Sequence, residues 1–179
     1  MRKAPLLMAL ALACGAGTLS LAQIKAYTLP EMVAEADGAV FGQITAQRVF
    51  RVDDPVDGPE LYFTTLTIEG RAVPSGSPLS IDVTFAGGFV NEKEGVHNSE
   101  APSADDIKIG NRVVAFYKWA DDLGGRVSGN ALMAAHGGIY RTVDGLNDSV
   151  VLGRGQGYAI ERNTRLSDLD KAVRTIKKN

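Results

Sequence analysis

The chain has 179 residues, a formal net charge of −2, 20 glycines and a single cysteine, Cys14. One cysteine excludes an internal disulfide and a thiolate cluster around a metal. The mild negative charge excludes a general electrostatic attraction to nucleic acid or to an anionic membrane.

The opening segment, MRKAPLLMALALACGAGTLSLAQ, begins with Arg2 and Lys3 and continues as an apolar run from Leu6 to Ala16. Ser20-Leu21-Ala22 then places small residues at the −3 and −1 positions of a cleavage site. This order predicts an export signal over residues 1–22, cut before Gln23, and so a secreted, periplasmic or envelope protein. The run is too short for a membrane span, which takes roughly 20 apolar residues. Cys14 opens a lipoprotein alternative, but Ala11-Leu12-Ala13 lacks leucine at −3 and has Leu12 where a small residue is preferred. Residues 23–179 hold no cysteine, and 17 basic against 21 acidic residues leave them at −4. A chain of that length is expected to bury roughly 68–70% of its unfolded surface, which predicts one domain over 23–179.

TLPEMVAEAD begins with Thr28 as N-cap, Pro30 in the first turn and Glu31 placed for a capping box, predicting a short helix. Met32, Val33 and Ala36 form its apolar stripe, and Gly38 ends it. The pattern then turns to period two. Residues 39–52 and 61–73 read as long strands around the polar turn DDPVDGPE. LSIDVTF alternates Leu79, Ile81, Val83 and Phe85 inward against Ser80, Asp82 and Thr84, the pattern of a sheet with one wet face. Residues 87–108 interrupt the rhythm and read as a long loop, a length typical of functional or mobile connections. Strands resume at 111–119, at RVSG after the turn ADDLGG, and in a hairpin over 137–152, with GYAIER as a last short strand. LSDLDKAVRTIKK is an amphipathic helix with Ser167 as N-cap and Leu169, Ala172, Val173 and Ile176 as its buried stripe. Six to eight strands with a helix at each end predict a mainly β protein. A small closed or partly open OB-type barrel is the favoured architecture, with a β-sandwich as the alternative.

Chemistry is sparse. There is no G-x-S-x-G elbow, and a histidine-based triad would need His97 or His136, neither of which sits in a recognisable motif, so no catalytic residue is assigned. NEKEGVHNSE gathers Glu92, Glu94, His97 and Glu100, and His136 precedes two glycines in AAHGGIY. A metal would have to use His97, His136, Glu92 and Glu94, yet no H-x-H or H-E-x-x-H spacing fixes a geometry and acidic loops are ordinarily solvated. No metal or other cofactor is therefore assigned. DDPVDG lacks the alternating oxygens of a calcium loop, and GRGQG is followed by strand residues rather than by a phosphate-binding helix. FYKW, at 116–119, offers rings that belong more naturally to a core or interface than to nucleic-acid stacking.

Taken in order, EMVAEADGAVFGQI, LYFTTLTIEG, IDVTFAGG, KIGNRVVAFYKW and GGIYRT resemble small exported bacterial proteins with a netrin-like, OB-type barrel, the fold of the tissue inhibitors of metalloproteinases. The resemblance covers roughly residues 31–143. It implies a binding module, an inhibitor or companion of an extracytoplasmic protease. Those inhibitors chelate the protease's zinc through an N-terminal cysteine, whereas the expected start here is Gln23, so that mechanism does not carry over. The leading expectation is a secreted, non-enzymatic module that binds another exported protein through Phe89, Val90 and His97 on the long loop. A structural subunit of an envelope assembly is the alternative, and a metal-dependent enzyme the third.

Overall fold

A computed structural model describes residues 26–178. The predicted export signal, Cys14 and Gln23 lie outside the described residues. A short helix α1 (Leu29–Glu35) precedes β1 (Gly38–Asp54), β2 (Gly58–Val73) and β3 (Pro78–Ala86). β4 (Gly88–Asn91) and β5 (Glu94–Val96) pair only with each other. β6 (Arg112–Ala120), β7 (Gly129–Leu132), β8 (Ile139–Asp144), β9 (Ser149–Val151) and β10 (Thr164–Arg165) follow, and α2 (Leu166–Ile176) ends the fold.

Five strands close on themselves in the order β1-β2-β3-β7-β6-β1. All neighbours are antiparallel except β3 and β7, which run parallel and meet at one rung, Thr84↔Ala131. This is the OB-type closure, here a closed five-stranded barrel. β8, β9 and β10 extend the sheet from β6. Closure needs a sharp coil in β1, and the sequence supplies it where Gly42 faces Gly70 across the β1–β2 ladder. A Cβ on Gly70 would meet the carbonyl of Phe41, so the two strands approach closely only because both positions lack side chains.

Alternation along β1 and β6 gives each strand two buried faces. Val40 and Ile44 with Val113 and Ala115 point into the barrel, where Leu66, Ile68, Val83, Leu132 and Ile139 complete the core. Ala39 and Phe41 with Val114 and Phe116 point outward into a second core, roofed by Met32 and Val33 of α1 and by Leu166, Leu169 and Val173 of α2. Fully burying one such leucine is worth about 1.5–3 kcal/mol. Tyr140 is fully buried in this outer layer and meets Phe116 edge-on, with ring centroids 6.4 Å apart. Its hydroxyl accepts the Ile160 N–H at 3.3 Å, and burial pushes its phenol above the ordinary tyrosine value.

Several local expectations change. The Thr28–Glu31 capping box is present at α1, with the Thr28 N–H donating to Glu31 at 2.8 Å. At α2 the N-cap is Arg165 rather than Ser167, and no side chain of the cap residue itself bonds the first turn. The Ser167 N–H instead donates to the carboxylate of Asp148 at 3.0 Å. Asp170 of α2 forms a two-pronged ion pair with Arg71 of β2, 2.7 Å at its shorter arm. Of RVSG only Gly129 is in a strand, as the first residue of β7, and GYAIER is no strand. Its chain folds back on residues 154–155 through the Arg154 and Gly155 N–H groups, burying Ala159 and Ile160 under Tyr140. The long loop of residues 87–108 is partly regular, since it contains the β4–β5 hairpin.

Candidate functional site

β4 and β5 form a hairpin that leans on the β1–β2 ribbon, anchored at its base. The Gly87 N–H donates to the Tyr62 carbonyl at 2.7 Å, and the Thr64 hydroxyl donates to the Gly87 carbonyl at 2.7 Å. The Asn98 amide donates to the Ala86 carbonyl at 3.0 Å, closing the exit of the hairpin against its entry. At the tip, Asn91 accepts the Lys93 N–H at 2.9 Å. Glu94 receives the Tyr62 hydroxyl at 3.4 Å and faces Arg51 at 3.6 Å. With both ends tied down, the hairpin holds three apolar side chains in solvent: Phe89 at 54% exposure, Val90 at 47% and Val96 at 45%. Large apolar groups held so close together on one small element mark an interaction surface better than the same groups scattered.

The predicted residues are thus partly gathered. Phe89 and Val90 lie on β4, and His97 follows β5 in an exposed position. A groove of about 690 Å³ runs between the hairpin, the β1–β2 ribbon and residues 97–107, and both His97 and His136 line it. His136 sits in a short 3-10 turn, Ala135–Gly138. Its backbone N–H and its Nδ1 both reach the Glu100 carbonyl, at 2.9 and 3.0 Å, and its Nε2 lies 3.1 Å from the Tyr158 hydroxyl. A carbonyl only accepts, so Nδ1 donates to Glu100, and Nε2 forms the bond to the Tyr158 hydroxyl. The ring fastens the loop before β6 to the segment after β9. Gly138 makes the turn possible, because a Cβ there would collide with the Met133 carbonyl. Nearby, Arg154 pairs with Asp106 at 2.8 Å and lies over the Tyr158 and Tyr140 rings.

Glu92 is exposed at the hairpin turn, and Glu94 is engaged with Arg51 and Tyr62, so neither joins the histidines in the groove lining. Among the described residues no three His, Cys, Asp or Glu side chains converge to hold a metal ion. Phe116 is buried beneath the helices, while Trp119 is half exposed and donates its indole N–H to Asp121 at 2.9 Å. No helix among the described residues is long and apolar enough to cross a membrane.

One constellation escaped sequence reasoning. The turn between β1 and β2 and the turn between β6 and β7 are stapled together: Asp57 accepts the Gly125 N–H at 2.7 Å, and Asp54 pairs with Arg126 at 3.2 Å. Asp54 also accepts the Asp57 and Val56 N–H groups, and these bonds, with Arg126 behind them, hold its carboxyl below the ordinary value. Asp53 is lowered likewise by the Glu60 N–H and by Arg51. The acidic turn DDPVDG therefore spends its carboxylates on its own backbone and on the facing loop. The one signal in the sequence was the Gly124-Gly125 pair, whose bare backbone admits the approach. Beside this staple a second groove of about 410 Å³ opens, lined by Asp57, Glu60, Tyr62, Phe63, Leu123 and residues 96–99 among others. Comparison with protein-family models, curated proteins and solved structures returns no match.

Proposed function

We propose that this is an exported, non-enzymatic protein-binding module, and that the β4–β5 hairpin with its adjoining groove is the surface that receives the partner. The observation that carries the reading is the anchored hairpin presenting Phe89, Val90 and Val96 to solvent. Holding apolar groups exposed is unfavourable for an isolated molecule, and the base hydrogen bonds keep them from collapsing onto the barrel. Because the hairpin is already ordered, little chain entropy remains to be lost on binding. The export signal expected in residues 1–22 sets the compartment, and the likeness to netrin-like modules makes an exported protease the first partner class to assay.

The test is recovery of the partner from the growth medium or envelope of the native host with the purified protein as bait. A Phe89→Ser, Val90→Ser double variant alters only exposed side chains and should melt as the wild type does. Aromatic anchors at interfaces are typically worth about 2 kcal/mol or more, so the variant should recover little of the partner. Equal recovery by variant and wild type overturns the assignment.

A further inference from the structure

On the far side of residues 96–99 the molecule offers a surface of different chemistry. β2 outruns its neighbour: the β2–β3 ladder ends at Phe63↔Ala86, whereas β2 still pairs with β1 at Leu61 and Gly58. Residues 58–61 thus have a strand on one edge only. The open edge borders the groove of about 410 Å³, where Leu61, Tyr62, Phe63, Val96 and Leu123 supply apolar lining. The rim is acidic. Asp57 and Glu60 line it, and Asp121 and Asp122 immediately precede Leu123. No lysine or arginine lines the groove. Of the two arginines nearby, Arg126 pairs with Asp54, and Arg51 is shared among Asp53, Glu60 at 3.5 Å and Glu94 at 3.6 Å, so the carboxylates around the groove still outnumber the cations.

We propose that this groove takes a polypeptide segment in which lysine or arginine flanks an apolar side chain. Along residues 58–61 Gly58 and Glu60 sit at φ 105° and 63° and the Glu60 N–H donates to Asp53 at 2.8 Å, so the bound segment is held by side-chain contacts in the groove and not by strand addition. The apolar lining receives the central side chain, and the acidic rim selects cations beside it. OB-type barrels often bind oligonucleotides between the loops that correspond to these two turns. A phosphate backbone would face Asp57 and Glu60 with no lysine or arginine in the lining, and a basic peptide is the complementary occupant. The inference rests on the reading of the molecule as a polypeptide-binding module and specifies the chemistry of one stretch of the partner.

The experiment is selection of a phage-displayed library of short random peptides on the whole protein. Recovered sequences are then synthesised and measured by fluorescence anisotropy at low and physiological salt. The comparison is a Glu60→Gln, Asp121→Asn, Asp122→Asn variant. It removes three charges while keeping the oxygens that accept the Trp119 indole N–H and the Gly124 N–H. Selected peptides should be rich in lysine or arginine beside apolar residues. They should bind the variant roughly tenfold more weakly at low salt, with a flatter salt dependence, since rim charges act through long-range attraction. Recovery of no peptide, of peptides without a positive bias, or of peptides that bind the variant equally overturns the inference. The hairpin variant separates the two readings. Peptide binding lost with Phe89→Ser, Val90→Ser but kept in the charge variant leaves the hairpin reading standing and this one fallen. Peptide binding that needs the rim, beside native-partner recovery that ignores the hairpin change, does the reverse.

Discussion

His136 and Asp148 each hold together segments that are far apart in the chain. The imidazole, set in AAHGGIY, has both ring nitrogens engaged, by the Glu100 carbonyl and the Tyr158 hydroxyl, and works as a fastener between loops. Asp148 sits in an unremarked turn, yet it satisfies the Ser167 N–H at the start of α2, one of the donors a helix leaves open. Its negative charge also faces the positive end of the helix dipole. The Ser167 N–H, and then the Ser167 hydroxyl, hold the Asp148 carboxyl below its ordinary value. The sign follows from that depression. Above the unfolded pKa, about 3.9, the native state gains the full benefit of the charged form, and the benefit is lost as pH falls through the lower folded value. Asp53 and Asp54 are depressed in the same direction and add to the loss. Asp148→Asn should therefore melt below the wild type at neutral pH; the gap should begin to shrink below about pH 4 and close only under the lowered folded value, where the wild-type carboxyl is also uncharged. Thermal melts of both proteins across that range check it. A gap of constant size would show that the charge of Asp148 is not what supports α2.

At the scale of elements, legibility depends on how far away the partner of each group lies. The capping box of α1 is three residues wide and was readable from TLPE alone, as were the long β1 and β2 with their period-two pattern. The cap of α2 was not, because its acceptor comes from the turn between β8 and β9 and not from Ser167. The β4–β5 hairpin was hidden for another reason. GGFVNEKEGV has glycines where strands usually carry β-branched residues, and its pairing depends on Gly87 being tied to the β2 backbone. Phe89 and Val90 stand out within that stretch as apolar side chains in a polar connection, whereas the hairpin that presents them rests on pairing that no local pattern announces. Thr64 is the residue on which this anchoring can be tested. It is buried at 1% exposure, and its hydroxyl donates to the Gly87 carbonyl. Thr64→Val keeps the shape and leaves that carbonyl short of a donor, at a cost of roughly 1–3 kcal/mol. We expect a matching loss in chemical denaturation and faster amide exchange in residues 88–96 than elsewhere in the sheet. Unchanged exchange there would mean that the hairpin is held by its other contacts.

For the whole molecule, composition and alternation were enough to indicate a small barrel with a helix at each end, but not how the barrel closes. The parallel seam at Thr84↔Ala131 and the β1–β6 pairing join segments far apart in the chain, and no local pattern announces which strands meet. Once closed, the barrel shares its walls with the outer layer. Along β1, Ala39 and Phe41 serve the helix-roofed core while Val40 and Ile44 serve the barrel; along β6, Val114 and Phe116 alternate in the same way with Val113 and Ala115. Neither core can lose its packing without disturbing two strands that form the other. The molecule should then unfold as one cooperative unit, although it has two apolar centres. Leu66, in the barrel, and Leu169, in α2, are both buried to 1% exposure or less and probe the two centres separately. Leu66→Ala and Leu169→Ala should each cost roughly 2–5 kcal/mol. In each variant the far-ultraviolet circular dichroism and the fluorescence of Trp119 should lose their native signals in one coincident transition. Trp119 lies on β6, the strand both centres share, and its fluorescence reports on that strand. Two separated transitions in Leu169→Ala, with the sheet outlasting the helices, would show that the barrel stands without its roof.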